Sequence, residues 1–167
     1  MCLSVQTLTP ALANKMIKQL KDRADALIEQ ERATKFITYS DASNRFPTDY
    51  SFDKTQKALI KINGDIIKIR HCVNVLNATS TLPNLGITVD AALIEMAMLT
   101  EMKDRLSLMR TGQIKESRPA PTGVVITEKM YNPAEAASEY EAVMNRLNQI
   151  QLDLDKFNLT QTFEIDI

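Results

Sequence analysis

The chain has no tryptophan, one histidine, two cysteines and only four glycines. With one histidine, and no Glu three residues before it, paired Glu-x-x-His di-iron chemistry is excluded. Zinc normally needs four ligands at recognisable spacing, and the sole soft pair, His71-Cys72, points about 100° apart on a helix. Cys72 therefore reads as a small buried or half-buried side chain and His71 as a surface residue. Two cysteines, Cys2 and Cys72, cannot build a secreted-type disulfide framework. There is no glycine-rich phosphate loop, no Gly-x-Ser-x-Gly and no Cys/His nucleophile arrangement. No catalytic residue, metal or cofactor is expected.

Long apolar runs are missing too. Nothing approaches the ~18–20 unbroken apolar residues of a membrane helix. The stretch MCLSVQTLTPALANK has no apolar core long enough for a signal peptide. A reduced, cytoplasmic chain is expected, and its two sequons, Asn77-Ala78-Thr79 and Asn158-Leu159-Thr160, are then chance matches. A net charge of −1 gives no global attraction to nucleic acid or anionic membranes. Aromatics are 5%, so the core is aliphatic, with eight Met as adaptable filler.

What is present is a core's worth of apolar residues, 44% of 167, spaced alternately three and four apart. One 167-residue helical domain follows. That spacing puts one apolar stripe on a helix, and it occurs four times. The stripes are Ala13, Ile17, Leu20, Ala24, Leu27; Phe52, Leu59, Ile62, Ile66, Ile69, Val73, Leu76; Val89, Ala92, Met96, Leu99, Met102, Leu106, Met109; and Ala136, Tyr140, Val143, Leu147, Ile150, Leu154, Phe157.

Thr9 as N-cap with Pro10 in the first turn predicts the start of helix 1. Helix 2 is expected from Ser51 or Phe52 to Asn77, helix 3 from Thr88 to Arg110 and helix 4 from Asn132-Pro133-Ala134-Glu135 to about Asn158. Gly112 is expected to cap helix 3 in a left-handed conformation. Gly64 interrupts helix 2, either for close approach of a neighbouring backbone or as a tolerated surface defect. Lys35–Tyr39, Val124–Thr127 and Thr162–Ile167 read as strands of one small sheet. Ser40–Tyr50, Asn77–Thr88 and Lys115–Gly123 read as loops.

Two groups of side chains are candidate sites. Asn74 and Asn77 share a helix face, followed by a turn with Thr81 and Thr88, and then Glu95. Asn and Thr there cap a helix end, fix an oligomer register or bind a small polar ligand. Lys54, Lys57, Lys61 and Lys68 fall on one flank of helix 2, with Arg70 near, a candidate anion or nucleic-acid surface. Lysines also solvate the outer face of an amphipathic helix, and Asp53 and Asp65 sit among them.

Asn74-Val75-Leu76-Asn77, Leu82, Gly86, Thr88, Ala92-Leu93 and Glu95 together resemble a bacterial family, some members of which carry the name septicolysin. That family shows Ile-Asn-x-x-Asn, a Leu-x-x-Gly-x-Thr turn and an Ala-Leu-x-x-Arg-Asp helix. The likeness covers roughly residues 55–160. Here Val73 replaces Ile, three residues rather than two separate Leu82 from Gly86, Met96-Ala97 replaces Arg-Asp and Leu159 replaces the Trp of its closing helix. The resemblance implies a small, soluble, mostly helical protein and brings no activity, substrate or cofactor.

The expected architecture is all-α: two long antiparallel helical hairpins in a four-helix bundle, with short accessory strands. Helices this long and narrow rarely bury every stripe within one chain. A homo-oligomer is therefore expected, acting as an interaction or scaffold protein, with another protein as a further possible partner. The alternative is a small-ligand or nucleic-acid-binding module. An enzyme is the reading with least support.

Overall fold

A computed structural model describes residues 5–41 and 49–167. In chain order the elements are β1 (Val5–Leu8), α1 (Pro10–Thr34), α2 (Phe52–Thr79), β2 (Thr81–Leu82), β3 (Ile87–Thr88), α3 (Val89–Met109), β4 (Lys115–Ala120), β5 (Gly123–Glu128), α4 (Pro133–Thr160) and β6 (Phe163–Asp166). The fold is mostly helical, with small antiparallel strand pairs. No helix among the described residues is long and apolar enough to cross a membrane. Cys2 and residues 42–48 of the expected Ser40–Tyr50 loop lie outside the described residues.

The chain divides into two compact units, Met1–Asn77 with Asn158–Ile167, and Ala78–Phe157. In the first, α1 starts where the sequence places it. The Thr9 hydroxyl accepts from the Leu12 N–H at 3.2 Å, and Pro10 fills the first turn. The core joins Ala13 and Ile17 of α1, Ile69 of α2, Leu8 of β1 and Ile165 of β6. Leu20, Ile66, Cys72 and Val73 pack against it. β1 pairs antiparallel with β6, Val5 opposite Asp166 and Leu8 opposite Phe163.

In the second unit α3 is capped by Thr88, whose hydroxyl accepts from Ala91 N–H at 3.2 Å. Asn132 opens α4, accepting from Ala134 N–H at 3.0 Å. Leu106 of α3 and Ala136 and Val143 of α4 make a buried cluster, with Leu99, Met109, Tyr140 and Leu147 around it. The Arg110 guanidinium, at the end of α3, stacks 4.2 Å from the Tyr140 ring centroid. Gly112 takes a positive φ of 85° just beyond it.

Several expectations are corrected. Lys35–Tyr39 is not a strand; Phe36 is 79% exposed, and no strand among the described residues offers it a ladder. Lys115–Gly123 is not a loop. Its first six residues form β4, paired along their whole length with β5 and turning through Pro121-Thr122. Pro119 is tolerated because both strands of a two-stranded pair are edges. The Asn77–Thr88 loop contains the short pair β2–β3, closed by Gly86 N–H donating to Leu82 C=O at 2.9 Å. Among the described residues the strands do not form one sheet but three separate two-stranded ones. Phe52 and Met102 leave their stripes and are exposed.

Candidate functional site

The sequence-predicted site residues separate. Asn74, Asn77 and the helix 2 cations belong to the first unit; Thr81, Thr88 and Glu95 belong to the second. Thr88 is occupied as the α3 cap. Thr81 stands opposite it in the β2–β3 ladder. Asn77 is half-buried near the end of α2.

The cations also divide. At roughly 100° per residue, Lys54, Lys57, Lys61 and Lys68 share one flank of α2, while Arg70 lies roughly 160° round from Lys54. Lys57 is paired with Asp53 at 2.8 Å. Lys68 donates to the Asp166 carbonyl at 3.5 Å. Lys54 borders a small recess with Glu31 and Tyr50. There the Tyr50 hydroxyl donates to Glu31, and that bond holds the phenol above its ordinary pKa.

Arg70 and Asn74, one turn apart on α2, instead face α1. With Asn14, Lys18 and Lys21, spaced four and three residues apart on one flank of α1, they line a groove of about 490 Å³ floored by Ile17 and Val73. Hydrophobic packing of Ile17 and Val73 in the first core fixes the two helix flanks that form its walls. Lys18, Lys21 and Arg70 make no ion pair among the described residues. Asp22 and Asp25 follow on α1, but neither lines the groove. In the sequence Lys18 and Lys21 read as part of a solvated flank of helix 1 and Asn14 carries no signal, because only the packing pairs that flank with Arg70.

Glu95 meets a residue the sequence did not single out. Arg146 of α4 donates through Nε to one Glu95 oxygen at 2.6 Å and through Nη2 to the other at 2.9 Å. These bonds pull the Glu95 carboxyl below its ordinary value, against a smaller opposing effect of burial, and raise the guanidinium. Arg146 also borders a second groove, about 370 Å³, with Asn84, Leu85, Gln149, Leu152 and Asp153. Asn84 donates to one Asp153 oxygen at 2.6 Å; the other, Oδ2, is buried and lacks a hydrogen-bond partner among the described residues.

These arrangements can hold ions and polar groups. Among the described residues, neither groove presents a nucleophile beside a general base, which covalent catalysis would require. No group of three or more His, Cys, Asp or Glu among the described residues is placed to hold a metal. Cys72 is a half-buried free thiol packed on the first core.

No family model matches the sequence, and no curated protein matches it. Among solved structures, the chain is similar to the crystal structure of a functionally unknown conserved protein from Corynebacterium diphtheriae. The TM-score is 0.68 at 13% identity, over 95% of this chain and 99% of that one. At that identity the likeness is one of fold alone.

Proposed function

We propose that this chain is a non-enzymatic helical protein that works by association, with a second copy of itself first, as a cytoplasmic interaction or scaffold protein. The observation that supports this is the outward stripe of α2. Ile60 is 61% exposed, Ile67 66% and Val75 48%. At roughly 100° per residue, these three lie within about 80° of one another, with Gly64 and His71 between them. Apolar side chains aligned on one exposed helix face are a candidate partner surface. Among the described residues, Gly64 has no atom within 4 Å of where a Cβ would stand, so none of them uses the room it leaves. A second copy packing along the stripe would use it.

The same reading takes each unit as one hairpin of a four-helix bundle. Contacts within each unit run in opposite chain directions: Asn14 and Lys21 of α1 share a groove with Asn74 and Arg70 of α2; Glu95 and Arg110 of α3 meet Arg146 and Tyr140 of α4. The resemblance to the septicolysin-labelled family belongs to this reading as a likeness between small helical proteins, with no toxin activity attached.

Native mass spectrometry of the wild type and of Ile60→Glu/Ile67→Glu tests the proposal. Both side chains are exposed, so the double variant keeps its helical circular dichroism. The expected result is a multiple of the chain mass for the wild type and a single chain mass for the variant. A wild type that is monomeric at micromolar concentration overturns the proposal.

A further inference from the structure

We infer that the groove between α1 and α2 binds a compact polyphosphorylated small molecule. Lys18, Lys21 and Arg70 bring three positive charges to one cleft, on a chain whose net charge is −1. None of them is neutralised by an ion pair among the described residues. That contrasts with Lys57, which is held by Asp53 on the opposite flank. Three like charges lining one cleft favour an anion between them. The carboxamides of Asn14 and Asn74 stand at the same walls, and each can donate two N–H bonds to phosphate oxygens.

The size and lining select among anions. A volume of about 490 Å³ falls inside the roughly 300–1,000 Å³ range of small-molecule sites. A single phosphate carries a charge of about −1.5 to −2 and would leave part of the cluster unmatched. Two or three linked phosphates match three cations. Arg70 supplies the planar fork suited to bidentate phosphate contact, and the lysines act as point charges. The Ile17 and Val73 floor leaves room for an apolar or ring-bearing body.

Nucleic acid fits less well. Single strands are held by aromatic platforms as well as charge, and among the described residues no aromatic side chain lines this groove. Duplex binding needs a continuous basic track. The remaining lysines of α2 lie on its other flank, with Lys57 paired and Lys68 bonded to a carbonyl.

The test is isothermal titration calorimetry of the full chain with inorganic pyrophosphate and tripolyphosphate. The comparison set is Arg70→Gln, Lys18→Gln/Lys21→Gln and, as a control on the opposite flank, Lys57→Gln. All of these side chains are exposed, and thermal melts verify that each variant folds. We expect saturable one-site binding, tighter for tripolyphosphate than for pyrophosphate. Arg70→Gln should weaken it by about tenfold or more, and the lysine pair by a similar factor. Lys57→Gln should leave it unchanged. No binding at millimolar ligand overturns the inference. So does equal loss in the Lys57 control, which would mean diffuse attraction, or tighter binding of a short oligonucleotide than of tripolyphosphate.

Discussion

At the scale of single residues, the Glu95–Arg146 pair and Gly64 separate what a side chain does for folding from what it does for function. Glu95 is held below its ordinary pKa of 4.5 chiefly by the two bonds from Arg146. A depressed carboxyl contributes stability above its unfolded pKa, and that contribution is lost as pH falls through the folded value. The wild type should therefore lose melting temperature below about pH 4.5 more steeply than Glu95→Gln. Both side chains are about a third exposed, so solvent screening keeps the difference near neutral pH to about 1 kcal/mol or less. Thermal melts from pH 3 to 7 read it directly; parallel curves would mean that the pair adds nothing. Gly64 poses the second question. If a second copy approaches the α2 stripe, Gly64→Ala should lower the oligomeric fraction at fixed concentration. A melting temperature raised by the equivalent of about 1 kcal/mol, with the oligomeric fraction unchanged, would make Gly64 a tolerated defect instead.

At the scale of elements, the helices were legible and the strands mostly were not, for a physical reason. A helix is written locally: Thr9-Pro10, Thr88 and Asn132-Pro133 mark starts, and four stripes repeat at helical spacing. A strand depends on its partner. Val5–Leu8 is four residues long and becomes β1 only because the end of α4 delivers Phe163–Asp166 beside it. Lys115–Ala120 is polar and contains Pro119, so no propensity marks it; it is strand because Gly123–Glu128 folds back on it. That second pair is exposed almost throughout, Val124 and Ile126 included. Two strands alone are marginal in water, so its turn matters more than its packing. Gly123 sits at φ 135°, a conformation that an L side chain rarely adopts. Gly123→Ala should cost the hairpin about 1–2 kcal/mol and leave both helical cores intact. Amide hydrogen exchange would show this as lost protection confined to 115–128. Unchanged protection there would mean that the turn tolerates a side chain.

At the scale of the whole molecule, the sequence revealed more of the scaffold than of the candidate site. Asn74 and Arg70 were both singled out, but in different groups, and Arg70 was grouped with lysines that helical geometry puts on the far flank. The groove needs Asn14, Lys18 and Lys21 as well, and their meeting with α2 is a property of packing, not of any local pattern. The proposed self-association would likewise be a property of the surface left over once the stripes are buried. It has a thermodynamic consequence independent of any particular contact. A partner that binds only the folded state stabilises it by mass action, by about 2.7 kcal/mol when present at about 100 times its dissociation constant. If the partner is a second copy, raising protein concentration must raise the melting temperature. Melts over a roughly hundredfold concentration range should show that rise for the wild type, and Ile60→Glu/Ile67→Glu should abolish it. Calorimetry with and without tripolyphosphate then divides the two proposals. A ligand-induced rise that persists in the monomeric double variant places the anion groove within one chain. A rise seen only in the wild type would make the groove depend on assembly.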